Sequence, residues 1–337
     1  MNIKTIAQLS GVSIATVSKI INNYSDVSQD TRKRVMKIME ENGYRPSSSA
    51  RTLATKKSNL IGVVFAGKLN SELKHPFFIN VIDSFKKQIG LFGFDVLLFS
   101  NEQFFDAKED YLARCRHFHV DGCIIIAGDD IEPSVHQLAA SEIPCVGLDI
   151  KFTGPNFSYI MSDNAKISSK AVEHFYMNGC REIGFIGIER KSEVATIREN
   201  AFMEALRGFG IAARPEWILH SKEYDEESGY LAMKALLASG SALPKAIFTI
   251  SDILAFGAMR AIKEHNLAIP GDIALIGCDD IDASKYTDPS LTTLRQDKEK
   301  FGRLAAMMLF DLINKQTKAQ GIIVDTELII RQSCGSL

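Results

Sequence analysis

Acidic and hydroxyl side chains stand directly after several short apolar runs in the body of the chain. Carboxylates and hydroxyls accept hydrogen bonds, so they can bind the hydroxyl groups of a small polar molecule. In open α/β sheets, ligands bind just beyond the carboxyl ends of the strands, and these positions therefore predict a binding cleft. The residues at these positions are Asp149, Asp163, Ser251, Asp252, Asp279 and Asp280.

These carboxylates lack the accompanying motifs that catalysis or metal binding would require. The sequence contains no GxxxxGK[ST] phosphate loop, no G-x-G-x-x-G after a strand, no G-x-S-x-G elbow and no HExxH motif. A calcium loop fitted to Asp280, Asp282 and Ser284 would place Lys285 where glycine is needed and Leu291 where a glutamate should bind. The six cysteines include no C-x-x-C pair, and the seven histidines show no ligand spacing. We therefore expect no metal, no cofactor and no enzymatic activity.

A second set of chemistry-bearing side chains lies near the N-terminus, on a short helix predicted after Gly11. Asn2 and Ser13 are typical helix caps, and Gly11 favours the left-handed turn that would separate two helices. Val17 and Ile20 would face inward on the second helix. The outward face would carry Ile14, Ala15, Thr16, Ser18, Lys19 and Asn22. Such a face suits base edges and thymine methyl groups in a DNA groove, although a plain helical hairpin shows the same pattern.

The charge distribution favours DNA over a plain hairpin. Residues 1–58 contain ten lysines and arginines against four aspartates and glutamates, a balance of +6. Because the whole chain has a net charge of −2, the remainder carries −8. A basic head on an acidic body is what binding a polyanion at one end requires, since phosphate neutralisation supplies most non-specific affinity.

A third helix and a polar linker follow the first two helices. Ser28 is the expected cap of a helix over 29–42, and Gly43 is the expected stop. The serine-rich stretch that follows would ordinarily be a flexible linker, yet Ala50 and Leu53 sit in it at helical spacing. Leu53 has no core nearby, so it is either a stray apolar residue in a frayed linker or a wedge for the minor groove of DNA.

The body of the chain alternates short apolar runs with amphipathic stretches. LIGVVFAG, FDVLLFS, CIIIAG and PCVGLDI form one such series, and YIMSDN, EIGFIGI, EWILH, AIFTISD and IALIGCDD form another. Strand and helix in alternation predict parallel sheets with helices on both faces, here two doubly wound α/β units in tandem behind an all-α head. No stretch approaches the roughly 18 apolar residues of a membrane span, and no apolar signal segment is present, so we expect a cytoplasmic protein.

Blocks of the sequence identify a family. The run GVSIATVSKIIN, followed by VSQDTRKRV, NGYRP and ARTLA, closely resembles the DNA-binding head of the LacI/GalR family of bacterial transcriptional regulators. HPFF, DGCIII, SDN, IRENAFMEAL, SDILAFGAMRAI and IGCDDIDASKYTDPSLTTLRQD agree with this family in the same order. The resemblance implies a helix-turn-helix head (1–46), a hinge helix or linker (47–58) and an effector-binding core (59–337) of the type I periplasmic-binding-protein-like fold. With lobe crossings expected near 161, 291 and 323, the N-terminal lobe would comprise 59–161 and 292–323, and the C-terminal lobe 162–291 and 324–337.

The resemblance also implies functional residues. The DNA-contacting set is Ile14, Ala15, Thr16, Ser18, Lys19, Asn22, Ala50 and Leu53, and the effector-contacting set is Phe77, Phe78, Asp149, Arg198, Ser251, Asp252 and Asp279. Asp252 and Ser251 would form the lip of the cleft, and one of the two phenylalanines is expected in the core. Arg198 could instead form an interlobe salt bridge, and Asp279 could merely cap a helix. Lys19 stands where many members carry arginine, and Ser251 where many carry asparagine.

The function implied is that of a homodimeric, sequence-specific transcriptional regulator, expected to be a repressor. Its partners would be palindromic double-stranded operator DNA and a small-molecule effector, a sugar or sugar derivative, bound between two lobes. It would associate with the nucleoid when bound to its operator. The residues after Arg331 contain no leucine heptad of the kind that forms tetramers, so a dimer is favoured. The alternatives are a solute-binding protein, which would need a signal segment and no basic head, and a sugar-acting α/β enzyme, which would need catalytic groups.

Overall fold

Three short helices form the N-terminal head in the computed structural model, which describes residues 1–22, 24–45, 57–67, 75–99, 110–128, 131–189 and 192–334. They are α1 (Ile3–Ser10), α2 (Ile14–Ile21) and α3 (Gln29–Glu41). Each begins where the sequence predicts, because the side chains of Asn2, Ser13 and Ser28 accept a backbone N–H from the first turn. Gly11 ends α1 with a φ of 64°, a left-handed conformation that glycine adopts without strain.

The head has its own small apolar core. Ile6, Val17 and Val35, one from each helix, are fully buried against one another, with Ala7 and Ile20 beside them. This cluster is separate from the clusters of the body. The head is therefore stabilised by few buried side chains, and the loss of one of them removes a large share of its core.

The first sheet of the body forms the N-terminal lobe. Its spatial order is β11 (Gly321–Val324), β5 (Phe157–Ser162), β4 (Cys145–Leu148), β3 (Gly122–Ala127), β1 (Leu60–Ala66) and β2 (Asp95–Leu98). Neighbouring strands pair in parallel. Ile124 and Ile126 of β3 pack into one core cluster and Cys123 and Ile125 into another, since side chains alternate between the faces of a strand. Helices α4 (Pro76–Leu91) and α11 (Lys298–Ile313) cover the first face, and α5 (Tyr111–His117) and α6 (Pro133–Ala139) cover the second.

The second sheet forms the C-terminal lobe. Its order is β12 (Glu327–Ile329), β10 (Thr292–Arg295), β9 (Ala274–Asp279), β8 (Ala246–Thr249), β6 (Ile183–Ile188) and β7 (Ile218–Ser221). Among the described residues, only the pairing of β10 with β12 is antiparallel. The accompanying helices are α7 (Asn164–Met177), α8 (Glu193–Gly208), α9 (Glu226–Ala238) and α10 (Asp252–Glu264). Single 3-10 turns occur at Pro215–Trp217, Asp282–Lys285 and Gln332–Cys334.

The chain passes between the two sheets three times. It leaves the first sheet after β5, returns to the first lobe between Arg295 and Lys298, and leaves again between β11 and β12. The crossing predicted near 291 falls before β10, and this placement is wrong because β10 pairs in parallel with β9 of the second sheet. The run YIMSDN, which the sequence suggests as the first strand of the second series, instead contributes to β5 of the first sheet. There β5 pairs with β4 and β11.

Two close helix contacts rely on glycine. A Cβ atom on Gly257 of α10 would lie 1.9 Å from the Glu226 carbonyl oxygen of α9, and one on Gly302 of α11 would lie 2.3 Å from the Val81 carbonyl oxygen of α4. Both helix pairs are therefore packed backbone to backbone. No helix in the part of the chain that the structure describes is long and apolar enough to cross a membrane.

Candidate functional site

The outward face of α2 is the predicted base-reading surface, and the structure leaves most of it accessible. Ile14 is 43% exposed, Ala15 and Lys19 are exposed, and Thr16 and Ser18 are half-buried. Asn22 is less available than predicted, because its side-chain amide donates to the Ser18 carbonyl at 2.9 Å and so closes the end of α2. The face therefore consists of one large apolar side chain, small groups, hydroxyls and one cation, which can contact base edges in a groove.

Lys19 forms an ion pair with Asp26, in the loop between α2 and α3. The hydrogen bond from Lys19 lowers the pKa of the Asp26 carboxyl from its ordinary value of 3.8. Asp26 is not among the DNA-contacting residues predicted from the sequence. Ala50 and Leu53, the predicted minor-groove residues, lie outside the described residues, as does most of the expected hinge helix.

Three of the predicted effector residues, Asp149, Arg198 and Asp279, lie where the two lobes face each other. Asp149 follows β4 and Asp279 ends β9, so each is at the carboxyl end of a strand of its own lobe. Both have a positive φ, 54° at Asp149 and 123° at Asp279, which is uncommon for residues other than glycine. Arg198 projects from α8, and His75, just before α4, approaches Asp279 from the opposite lobe. The cleft is thus lined by ionisable groups from both sides.

Arg198 is anchored from beneath by the C-terminal lobe. It is 4% exposed, and its Nε donates to Asn164 Oδ1 at 2.8 Å and its Nη1 to the Ile250 carbonyl at 2.7 Å. Burial opposes its charge, but Cys278, Asp279 and Asp149 hold the pKa of the guanidinium above its ordinary value. Arg198 is therefore a fixed, permanently charged donor at the cleft.

Asp279 has one oxygen held and one oxygen free. Gln296 Nε2 donates to Oδ1 at 2.5 Å, whereas Oδ2 is buried without a hydrogen-bond partner among the described residues. Burial raises the pKa of Asp279 to about 6, although Arg198 and Lys298 act in the opposite direction. A buried acceptor without a donor is costly, so this oxygen can accept a hydrogen bond from a molecule bound in the cleft.

His75 faces this free oxygen across the lobe boundary. Its Nε2 lies 4.0 Å from Asp279 Oδ2, too far for a hydrogen bond, and its Nδ1 is buried without a partner among the described residues. Burial, assisted by the charge of Arg198, lowers the pKa of His75 to about 4, so its ring is neutral at pH 7. Phe78 and Tyr224 flank the ring, with centroids 5.6 and 6.5 Å away.

Asp149 completes the polar lining from the N-terminal lobe. The Ser162 N–H donates to its Oδ1 at 3.2 Å. Burial raises its pKa, against the opposing effect of Arg198. Together with Asp279 and Arg198, with which it interacts electrostatically, it offers both acceptors and donors. That combination binds hydroxyl groups, which both donate and accept hydrogen bonds.

Three predicted effector residues lie inside the lobes. Phe77 is 3% exposed and packs edge-on against Phe301 in the N-terminal core, so Phe77 is the core member of the pair. Ser251 caps α10 by accepting the Leu254 N–H at 3.3 Å.

The expected place of Asp252 at the cleft lip is wrong. Asp252 is fully buried, and its carboxylate accepts hydrogen bonds from the Ile281 N–H and from the hydroxyls of Ser284 and Thr293. Burial raises its pKa to about 7. Asp252 thus ties α10 to β10 and to the loop after β9. The sequence favours a cleft residue because Asp252 follows a strand and stands in a motif that resembles the family's.

Three residues that orient or face the main cleft residues were not predicted from the sequence: His75, Asn164 and Gln296. Asn164 could have been found beside Asp163, at the end of a predicted strand, and His75 beside the phenylalanine pair. Gln296 carries no local signal, because its role depends on the crossing of the chain between lobes. Asp163 and Asp280, also named as strand-end residues, are engaged elsewhere: Asp163 caps α7, and Asp280 pairs with Arg295 and Arg331.

Comparisons with known proteins agree with this architecture. Residues 2–47 match the family described as bacterial regulatory proteins, lacI family, and residues 172–334 match the periplasmic binding protein-like domain. The HTH-type transcriptional regulator MalR of Clostridium butyricum is 32% identical over 99% of both chains.

Two solved structures extend the likeness. The lac repressor dimer bound to operator and the anti-inducer ONPF covers 99% of this chain and 98% of its own, at 27% identity and a TM-score of 0.82. A LacI family regulator from Enterococcus faecium with bound ribose covers 82% of this chain and 99% of its own, at 25% identity and a TM-score of 0.71. The fold class predicted from the sequence, a helical head with two α/β lobes, is confirmed. Because MalR matches along nearly the full length of both proteins, this chain belongs to the lacI family of bacterial regulatory proteins.

Proposed function

We propose that this chain is a sequence-specific DNA-binding transcriptional repressor whose operator affinity is controlled by a small polyhydroxylated effector. The observation that carries the proposal is the free Oδ2 atom of Asp279, buried between the lobes of a chain that also has a helix-turn-helix head. A ligand hydroxyl would donate to this oxygen, while Asp149 accepts from and Arg198 donates to other hydroxyls. Phe78 offers an aromatic face for a sugar ring.

The proposed partners follow from the chemistry of the head and of the cleft between the lobes, and from the similar structures. The lac repressor structure holds operator DNA and is a dimer, and the Enterococcus faecium regulator holds ribose. For this chain we propose palindromic operator DNA, a carbohydrate effector and a second copy of the chain. We further propose that it works in the cytoplasm, on the nucleoid when bound to its operator, without a cofactor and without enzymatic activity.

The mechanism rests on closure of the two lobes. A ligand that bridges Asp149 of one lobe and Arg198 or Asp279 of the other binds the closed arrangement better and therefore increases its population. The two lobes would rotate relative to each other about the three segments in which the chain crosses between them. In a dimer, closure would change the spacing of the two segments 47–58 that lead to the heads, and with it the fit to two half-sites.

The linker carries a further part of the proposal. We place the domain boundaries at 1–46 for the head and 47–58 for the hinge, with Leu53 as a minor-groove wedge beside Ala50. Leu53→Ala should weaken operator binding by about tenfold or more, since unstacking of the DNA would lose its apolar support. Analytical ultracentrifugation should find an unchanged dimer. Unaltered operator affinity would show that Leu53 is not a minor-groove wedge.

A gel-shift series tests the central claim. The intact chain should bind a palindromic operator, identified by selection from random duplexes, in a sequence-specific and salt-dependent way. A chain without residues 1–58 should not bind. Full binding by the truncated chain, or no sequence preference in the intact one, would overturn the proposal.

The effector half of the proposal has its own test. A thermal-shift screen of neutral mono- and disaccharides should yield a compound that stabilises the intact chain and alters operator binding. Arg198→Ala should abolish both responses to that compound while operator binding in its absence persists. Calorimetry that finds normal affinity for the compound in this variant would refute the assignment of Arg198.

A further inference from the structure

Asp26 places a carboxylate beside the predicted DNA-reading helix. It forms an ion pair with Lys19, in the last turn of α2. The side chains of Lys19 and Asp26 remain 48% and 54% exposed. Both groups can therefore contact another molecule without breaking their own pair.

The position of Asp26 is fixed by the backbone around it. The Tyr24 N–H donates to the Lys19 carbonyl at 2.9 Å, which folds the loop back onto the end of α2. Arg32 of α3 donates to the Ile20 carbonyl at 3.3 Å and also to the Tyr24 carbonyl. The loop is thus bound to both helices, and the carboxylate stays next to Lys19.

Neither stability nor simple attraction to DNA explains this pair. An exposed ion pair contributes little to folding, because solvent screens it and two flexible side chains must be ordered. A carboxylate near DNA phosphates also reduces non-specific affinity, and it cancels the charge of a lysine on the reading helix. The head balance of +6 would be larger without Asp26.

We propose that Asp26 is a DNA-specificity residue that reads one G·C base pair together with Lys19. This inference rests on the proposed function. In the major groove, guanine presents two neighbouring acceptors, O6 and N7, and the paired cytosine presents an amino donor. The Lys19 ammonium donates to the guanine and the Asp26 carboxylate accepts from the cytosine N4 group. An A·T pair lacks the two adjacent acceptors and brings a thymine methyl group against the charges.

The test uses the full-length chain and a pool of duplex DNA with a randomised palindromic site. The wild type should select a site with one G·C position per half-site at which an A·T replacement weakens binding by about tenfold or more. In Asp26→Asn, that penalty should fall at least about threefold, because a neutral amide oxygen accepts more weakly from the cytosine amino group than a carboxylate does, and other positions should keep their penalties.

Glu41→Gln is the matched control. Glu41 forms an exposed ion pair with Lys37 on α3, so this variant adds the same charge to the head away from the reading helix. Both variants should gain similar non-specific affinity for unselected duplex DNA, because each removes one negative charge from the head. Only Asp26→Asn should show a weakened G·C preference. Equal discrimination in both variants and the wild type at every position would overturn the inference.

A charge-reversed double variant separates reading from structure. Lys19→Asp with Asp26→Lys can restore the ion pair but exchanges donor and acceptor, so the G·C preference of the wild type should disappear. Retention of that preference would mean that the pair acts only as a structural contact, against the inference. If the wild type itself selects no sequence, the proposed function fails, and the inference with it; if the wild type selects a site but Asp26→Asn reads it identically, only the inference fails.

Discussion

Asp279 and Asp280 are adjacent in the sequence yet occupy opposite electrostatic environments. Burial raises the pKa of Asp279, whose Oδ2 has no donor among the described residues. Burial acts on Asp280 too, but its bonds from Arg331 and Arg295 outweigh that effect and lower its pKa. One carboxylate therefore keeps an acceptor oxygen without a donor among the described residues, and the other pairs with two arginines of its own lobe.

Replacing each with asparagine should have opposite effects on the free protein. Asp279→Asn should raise the urea midpoint at pH 7, which corresponds to a gain on the order of 1 kcal/mol in the free energy of unfolding. The reason is that a buried charge without a full set of donors is removed. Asp280→Asn should lower the midpoint, since two arginines lose their partner. Asp279→Asn should also lose the response to any sugar that stabilises the wild type. A lower midpoint for Asp279→Asn would mean that its carboxylate is already satisfied.

His75 should make acid unfolding steeper. Its pKa is lowered from 6.5 to about 4 in the folded chain, so between these values the unfolded chain binds more protons. Stability therefore falls as the pH drops from 6.5 towards 4. Asp279, with a pKa raised to about 6, acts in the opposite sense, since its folded form retains a proton and loses stability as pH rises from 3.8 through 6.

His75→Leu isolates the histidine. Between pH 7 and pH 5 the wild type should lose about 2 kcal/mol more stability than the variant, as followed by urea unfolding at each pH. Between pH 7 and pH 8 the free energies of unfolding of the wild type and the variant should change by the same amount, because the histidine ring is neutral in both the folded and the unfolded chain there. Parallel loss at low pH as well would show that His75 is exposed to solvent in the folded protein.

Among the elements, the helix boundaries of the head could be predicted because they depend on local chemistry. Asn2, Ser13 and Ser28 each cap a helix through a neighbour three residues away, and Gly11 needs only its own backbone freedom. The place of Asp252 could not, since its partners Ser284 and Thr293 are distant in sequence. The same limit applies to β10, whose lobe is decided by pairing with β9 and not by its own residues.

The contact between α9 and α10 leads to a prediction at the element scale. Gly257→Ala should destabilise the C-terminal lobe by about 3 kcal/mol, because the new Cβ would meet backbone atoms, which cannot move aside as a side chain can. Gly208→Ala in α8 is the control: no heavy atom lies within 4 Å of its added Cβ, and alanine favours a helix. Calorimetry should find a lowered transition only in the first. Equal transitions would imply that α9 and α10 separate easily.

At the scale of the whole molecule, the head and the body have separate cores. The cluster around Val17 shares no residue with those of the two lobes. The sequence predicts this separation, because a serine-rich polar stretch follows the three helices of the head. The interface between the lobes was less predictable, because residues such as His75 and Gln296 acquire their surroundings only when the lobes meet.

Val17→Ala should therefore destabilise the N-terminal head and leave the body folded. The substitution empties part of a five-residue core at a cost of about 2 kcal/mol, a large fraction of what so small a unit can hold. Operator binding should fall sharply, while the melting of the body and its response to a stabilising sugar stay unchanged. A matching drop in the melting temperature of the body would contradict independent cores.

The order of the strands also has a consequence for synthesis on the ribosome. The first sheet is completed by β11 and the second by β12, and both strands lie within residues 321–329. Neither lobe can complete its sheet until nearly the whole chain has been made, whereas the head can fold once α3, which ends at Glu41, has emerged. A chain cut short near residue 315 would thus carry a finished DNA reader with no working switch behind it.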